Sequence, residues 1–353
     1  MPAAGPDTAA PLAVAAAAGA AAGDAQPPAG SAAAARGPCA AAAAASGLAP
    51  QAAAAAAAAA AKRRWRGLLL ALIGAVAFSG KAIIVKLAYR YGVDAVTLIM
   101  LRMLFALPLF VLLAWWAGRG RPPLTRRDRL AVGLLGFCGY YLASFLDFAG
   151  LQYVSASLER LIQYLGPTLV LLLGRVLLGR RVARLQLLAL AISYVGVALV
   201  FAQEVRLEGA DVALGSALVF ASTLSYALYL LYSGEVVPRL GALRLTGLAT
   251  SVACVLCIAQ YLLLRPWASA LQLAPAVWWL SVLNATACTF APVLLVMMAI
   301  ERIGAAAASQ AGMIGPLATI AMGVLILGEA LTGWVVAGTV LVLAGVAVLG
   351  RVR

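Results

Sequence analysis

The stretch Tyr153–Gly179, YVSASLERLIQYLGPTLVLLLGRVLLG, most constrains what this chain can become. It is long and apolar enough to cross a bilayer, which takes about 20 mostly apolar residues. Yet Glu159, Arg160 and Gln163 lie inside it, and Gly166-Pro167 breaks it near the middle. The same skeleton returns 149 residues later without a gap. Gly166-Pro167 becomes Gly315-Pro316, Gly174 becomes Gly323, Leu178-Gly179 becomes Leu327-Gly328, and Gly196-Val197-Ala198 becomes Gly345-Val346-Ala347. A polar, proline-broken span that recurs in the second half of a membrane chain points to a transporter's binding site. The plain alternative is two kinked helices in an ordinary bundle.

Composition agrees with a membrane setting. Of 353 residues 65% are hydrophobic and 11% charged, and mean hydropathy is +1.01. Soluble domains carry about 25% charged residues. A net charge of +14 would suggest nucleic acid in a soluble chain. Here the basic residues fall between apolar runs, so they report topology and no nucleic-acid partner is expected.

Ten spans follow, at 67–88, 95–117, 130–151, 153–178, 182–202, 211–233, 241–264, 276–299, 303–327 and 331–350. The fold class is therefore all-α integral membrane. Residues 1–61 read as a disordered Ala/Gly/Pro-rich cytoplasmic tail, with at most transient helix at the alanines of 52–61. A first five-helix repeat covers 62–204 and a second covers 205–353. Five is odd, so the second copy must enter the membrane upside down, giving two inverted repeats.

With the N-terminus inside, sixteen Lys and Arg fall in cytoplasmic segments: Lys62, Arg63, Arg64, Arg66, Arg119, Arg121, Arg126, Arg127, Arg129, Arg180, Arg181, Arg184, Arg239, Arg244, Arg351 and Arg353. Five are assigned to the other side: Lys86, Arg90, Arg206, Arg265 and Arg302. The positive-inside rule then puts both termini in the cytoplasm of a multi-pass protein of the cell (inner) membrane.

Five charges lie within spans at matching depth. Lys81, Arg102, Asp147, Glu159 and Arg160 sit four to seven residues from the outer ends of the first four spans. At 1.5 Å per residue that is a layer some 6–11 Å below the boundary. Each charge at depth costs roughly 2.5–3.5 kcal/mol, so the five should face each other or water. Polar stripes extend the surface: Tyr140, Ser144 and Asp147; Ser155, Glu159 and Gln163; Ser222, Tyr226 and Tyr229; Ser281, Asn284 and Cys288. Gln310 precedes the second Gly-Pro. A polar cleft lined by spans 1, 3, 4, 6, 8 and 9 follows.

Each residue also has a plainer reading. Lys81 and Arg102 can snorkel to headgroups. Asp147 can pair with Arg102 or Arg160. Tyr226 and Tyr229 can be packing. The layer holds three cations against two acids, and the spare positive charge suits a carboxylate or phosphate substrate. An acid in a semi-dry cavity suits proton coupling.

Some chemistry is not supported by the residues present. There is no histidine, hence no His base, relay or ligand. Cys254-Val-Leu-Cys257 has no second ligand pair and reads as helix packing rather than a metal or redox site. Gly80-Lys81 imitates a P-loop, but Ala75 and Ala82 occupy positions that need Gly and Ser/Thr. No enzyme, cofactor or metal is expected.

Arg102, SASLERLIQYLGP at 155–167 and GAAAASQAGMIGPLATIAMGVLILGEAL at 304–331 carry a resemblance. On them the chain resembles the drug/metabolite transporter superfamily in its EamA-like branch, over about residues 66–350. The resemblance implies a secondary transporter, often an exporter of amino acids or other small metabolites; relatives in plastids and the Golgi exchange sugar phosphates and nucleotide sugars. The family often carries Glu after the Leu-Gly of each half. Glu329 fits, whereas Arg180 departs, and both read as helix-end groups at the cytoplasmic surface.

Together these give Lys81, Glu159, Gln163, Tyr226, Asn284 and Gln310 as substrate-binding residues. Asp147, Glu159, Arg160 and Arg102 form the coupling layer, and Gly166, Pro167, Gly315 and Pro316 are hinges. In this scheme Lys81 attracts the substrate's negative group, and Glu159 coordinates its amine or carries a coupled proton. The expected partners are a small-molecule substrate and membrane lipid, with a homodimer left open. A phosphate-ester or nucleotide-sugar exchanger and a non-transporting membrane scaffold are the alternatives.

Overall fold

A computed structural model describes residues 48–179, 183–312 and 314–351, with side chains for all of these except 48–57, 207–208, 304–306, 309–310 and 349–351. Among the described residues the chain is helical throughout, and eight helices are long and apolar enough to cross a bilayer. Two shorter apolar helices, Gly315–Leu327 and Gly333–Val348, fall where the ninth and tenth spans were expected. We number the helices α1 (Leu48–Tyr89), α2 (Ala95–Gly118), α3 (Arg126–Gly150), α4 (Ala156–Leu178), α5 (Arg184–Glu208), α6 (Ala210–Leu240), α7 (Ala242–Leu264), α8 (Pro275–Ile303), α9 (Gly315–Leu327) and α10 (Gly333–Arg351). Helix α1 begins at Leu48 and so takes in the alanine run 52–61. Of the expected tail at 1–61, residues 48–61 are therefore helical, and residues 1–47 lie outside the described residues.

Local chemistry sets the helix ends. The Asp94 side chain accepts from Thr97 N at the start of α2. Thr125 and Asp128 form a reciprocal capping box on α3. Ser155 Oγ accepts from Leu158 N at the start of α4. Gly179 and Gly328 end α4 and α9 at φ 65° and 76°, in the left-handed region.

The repeat spacing of 149 recurs in backbone features that the sequence motif did not include. Wide π turns interrupt α3 at Phe137–Leu142 and α8 at Thr286–Phe290, starting 149 residues apart. Starts of α3 and α8, of the Gly-Pro helices, and of α5 and α10 keep the same offset, as do the left-handed glycines Gly92 and Gly241.

Packing interlocks the halves. The most extensive interfaces are α1 on α8, α5 on α10, α2 on α7 and α3 on α6, each joining one half to the other. In lipid, helix association rests on close packing, which small residues permit. A methyl placed on Gly196 of α5 would lie 2.7 Å from the Gly338 carbonyl of α10, and one on Gly345 would lie 2.7 Å from the Ala189 carbonyl. Ala189 and Gly196 are the repeat counterparts of Gly338 and Gly345. The contact is thus reciprocal, as at a two-fold interface, and the two helices run antiparallel.

Helical residues run on without interruption from Ala291 to Gly312, across the expected turn at 300–303. A straight helix would hold Pro292 and Gly312 about 30 Å apart. Both nonetheless line one small cavity, so the chain doubles back between them.

Two side assignments are corrected. Arg63 donates to the Glu301 carbonyl at 3.1 Å, which places neighbouring Arg302 at the basic end of the bundle, beside Lys62–Arg66. Only Lys86, Arg90, Arg206 and Arg265 of the five assigned to the far end remain there, so the charge bias steepens. Glu329 moves the other way. It lines a groove of about 370 Å³ with Lys86, Arg90 and Gln152, at the far end. Ten crossings from an inside N-terminus require this arrangement, since Arg302 follows the eighth span and Glu329 the ninth.

Candidate functional site: a buried ion cluster at two broken helices

Helix α4 breaks at Tyr164-Leu165, so that Gly166 opens its second segment with Pro167 in the first turn. Proline is well placed there, because the N–H it lacks would have no helical partner. Pro316 occupies the matching place in α9. The first segment of α4, Ala156–Gln163, is nearly all buried and carries the charged residues.

Three of the five layer charges form one cluster. Lys81 Nζ on α1 lies 2.5 Å from Asp147 Oδ2 on α3 and 3.3 Å from Glu159 Oε1 on α4. Asp147 Oδ1 accepts from Gln163 Nε2 at 2.7 Å. Asp147 is thereby paired with Lys81, and with neither Arg102 nor Arg160 as expected. Lys81 is buried and doubly paired, not snorkelling. Glu159 is fully buried, and among the described residues neither of its oxygens has a partner in hydrogen-bonding geometry.

Arg160 turns away from Lys81. Its Nε donates to Thr319 Oγ1 on α9 at 2.9 Å, and Nη1 reaches Gln163 Oε1 at 3.4 Å. Its guanidinium sits 5.3 Å from the centre of the Phe78 ring. Buried Nη2 has no acceptor among the described residues. Arg102 shares the depth but not the network: its guanidinium lies 4.4 Å from the Phe148 ring centre, and buried Nε has no hydrogen-bond partner among the described residues. Its neighbour Met103 accepts from the Cys254 thiol at 3.6 Å, so Cys254 packs α7 on α2.

The break in α9 is tied to the first half. Ser79 Oγ donates to the Gly315 carbonyl at 2.9 Å, and Tyr164 Oη donates to the Gly312 carbonyl at 3.1 Å. Beside these bonds is a cavity of about 50 Å³. Its polar wall is Arg160, Ser79 and Tyr164; its apolar wall includes Phe78, Ala75, Pro292 and Val296, with Gly74, Gly312 and Gly315 completing it. By that measure it holds about three or four waters.

The remaining expected residues fall elsewhere. Tyr226 stacks on Tyr229 at 5.5 Å and meets Tyr140 edge-on at 6.4 Å, and the hydroxyls of Tyr140 and Tyr229 are 3.2 Å apart. This trio belongs to the packing of α3 on α6. Asn284 is 1% exposed, with both amide atoms unpartnered, and does not line the cavity. The side chain of Gln310 and all of Arg180 lie outside the described residues. Ser155, expected on the Glu159 stripe, caps α4 and donates to Glu204 at 2.5 Å.

Sequence reasoning missed Ser79, Tyr164, Thr319 and the position of Glu329. The first three were signalled by adjacency: each lies within three residues of Lys81 or of a Gly-Pro pair. Glu329 accepts from the backbone N–H of Ala156 at 2.6 Å and from Ser157 Oγ at 2.7 Å. A second-half carboxylate thus caps the charged first-half segment, which fits the preference for negative charge at a helix start.

Comparison with known proteins gives one answer. The model of the EamA-like transporter family matches twice, over residues 65–202 and 213–351. The uncharacterized transporter YcbK of Bacillus subtilis (strain 168) is 30% identical over 276 residues, covering 75% of this chain and 86% of YcbK. The uncharacterized transporter YetK of the same organism is 22% identical over 191 residues, covering 52% of this chain and 56% of YetK. A solved protein crystal structure superposes with a TM-score of 0.55 at 18% identity, covering 80% of this chain and 96% of that one. Two family matches, one over each copy of the 149-residue pattern, and transporter relatives across most of the length place this multi-pass membrane protein in the EamA-like transporter family.

Proposed function

We propose that the chain is a secondary active transporter, working as an exporter, for a small polar metabolite such as an amino acid or organic anion. Ten spans form two inverted five-helix halves, both termini face the cytoplasm, and the membrane is the cell (inner) membrane. The observation that carries this reading is the joining of charge and broken backbone across the halves. Arg160 and Tyr164 of one half bond to Thr319 and Gly312 at the break of the other. Backbone freed at a break is tolerated within a membrane where it lines a cavity.

The antiparallel, reciprocal contact of α5 and α10 supports the inverted relation. Inverted halves give two related conformations of one scaffold, and rocking between them alternates access. The Glu329 cap and the α9 contacts hold the far end together; opening to the outside requires their release. Glu159 is the group for a coupled proton: its fully buried carboxyl shares the Lys81 ammonium with Asp147 and is the more distant of the two, at 3.3 Å against 2.5 Å.

The test is counterflow of labelled solutes in proteoliposomes, with amino acids, organic acids and sugar phosphates, run with and without a pH gradient. Saturable exchange of one class is expected, with sensitivity to the gradient. Folded, inserted protein that exchanges none of them would contradict the reading.

A further inference from the structure

The cavity beside the two breaks has a definite electrostatic sign. Among the described residues its lining contains one charge, the Arg160 guanidinium, and no carboxylate. The acids of the layer lie behind it: Asp147 and Glu159 both face Lys81, two carboxyl groups against one ammonium. Among the described residues Arg160 hydrogen-bonds neutral groups, the Thr319 hydroxyl and the Gln163 amide. Its buried Nη2, with no acceptor among the described residues, is a polar atom left over at this wall. Ser79 and Tyr164 spend their protons on backbone carbonyls. A buried donor left unmade costs free energy, and an arginine is the residue type best matched to a carboxylate.

We propose that this cavity takes the carboxylate of a small aliphatic monoanion, docked on Arg160 and not on Lys81, with the alkyl body against Ala75, Pro292 and Val296. The proposal names the substrate class of the site proposed above and rests on that reading for its place in transport. Charge selects the monoanion. With Glu159 carrying a proton, Lys81 balances Asp147 and the Arg160 guanidinium is left to balance one carboxylate, whereas a phosphate dianion would leave a buried negative charge. No acid among the described residues lines the cavity to receive an ammonium, so a zwitterionic amino acid would bury its amine unpaired. Size agrees, since about 50 Å³ accommodates a carboxylate with one or two carbons.

The test is equilibrium binding of labelled propionate to the purified full chain, competed by acetate, alanine, propylamine and inorganic phosphate. Acetate is expected to compete; propylamine is not, and alanine and phosphate should be weaker by about ten-fold or more. Arg160→Gln should lose about ten-fold or more in affinity, and Arg160→Lys should retain part of it. Gly315→Ala tests the site without touching charge. Its added Cβ would lie 2.7 Å from Tyr164 Oη at the cavity wall, so propionate affinity should fall there too. Equal competition by propylamine, or full affinity in a folded Arg160→Gln protein, would overturn the proposal, as would no propionate binding at all. Propionate bound but never exchanged would sink the transport reading and leave this one standing. Exchange of a neutral solute, indifferent to Arg160→Gln, would do the reverse.

Discussion

The two Gly-Pro breaks share a backbone and differ in chemistry. Gly166–Leu178 and Gly315–Leu327 begin with the same pair, run the same length and end on left-handed glycines. Upstream of the first break lie Glu159, Arg160 and Gln163; the matching positions upstream of the second are Ala308, Ser309 and Gly312. Asp147 and Lys81 likewise match Val296 and Leu230. One repeat thus supplies the ionic chemistry and the other supplies backbone carbonyls and apolar wall. Duplication set the geometry, and the charges occupy only one copy of it.

The difference predicts unequal responses at matched positions. The largest effect is expected from Lys81→Met, which leaves Asp147 and Glu159 buried without their cation. About 3–5 kcal/mol of stability should be lost, read by unfolding in mixed micelles. The triple neutral variant Lys81→Met/Asp147→Asn/Glu159→Gln should recover most of that, because it removes the whole buried ion group. An unchanged single variant would mean that the cluster is solvated rather than paired.

Next comes the packing at the π turns. A methyl on Gly139 would fall 2.3 Å from a Tyr229 ring carbon, so Gly139→Ala should cost about 1–3 kcal/mol. Residues 139 and 229 match 288 and 80, where the size order is reversed: Cys288 packs on Gly80. At the far end, Glu329→Ala removes the cap on the charged segment and should cost about 1–2 kcal/mol. The smallest effect is expected for Gly80→Ala, whose Cβ would meet Cys288 Sγ at 3.1 Å, at about 1 kcal/mol or less. If Gly80→Ala costs as much as Gly139→Ala, the reversal is not what fits the two interfaces together.

Much of this was legible in the sequence. The repeat could be read because Gly and Pro mark backbone positions that few other residues can fill. The layer could be read because depth along a helix is simple counting at 1.5 Å per residue. The pairing within the layer could not. Helical periodicity fixes which residues share a face of one helix, but not which way that face turns toward its neighbours. Hence Asp147 was open to Arg102 or Arg160 and is held by Lys81. The Tyr226 stripe had the same period as the Asp147 stripe and turned out to pack with Tyr140 and Tyr229. Glu329 and Arg302 failed for another reason, since side assignment depends on counting every crossing through very short turns.

The account's central claim is that the buried charges exist for transport and not merely to staple helices. Propionate counterflow by the triple neutral variant tests it most directly, in proteoliposomes where folding and insertion have been verified. The account predicts a folded protein with no saturable exchange, beside an active wild type. Exchange at the wild-type rate by the neutral variant would reduce the cluster to a structural staple and contradict the claim.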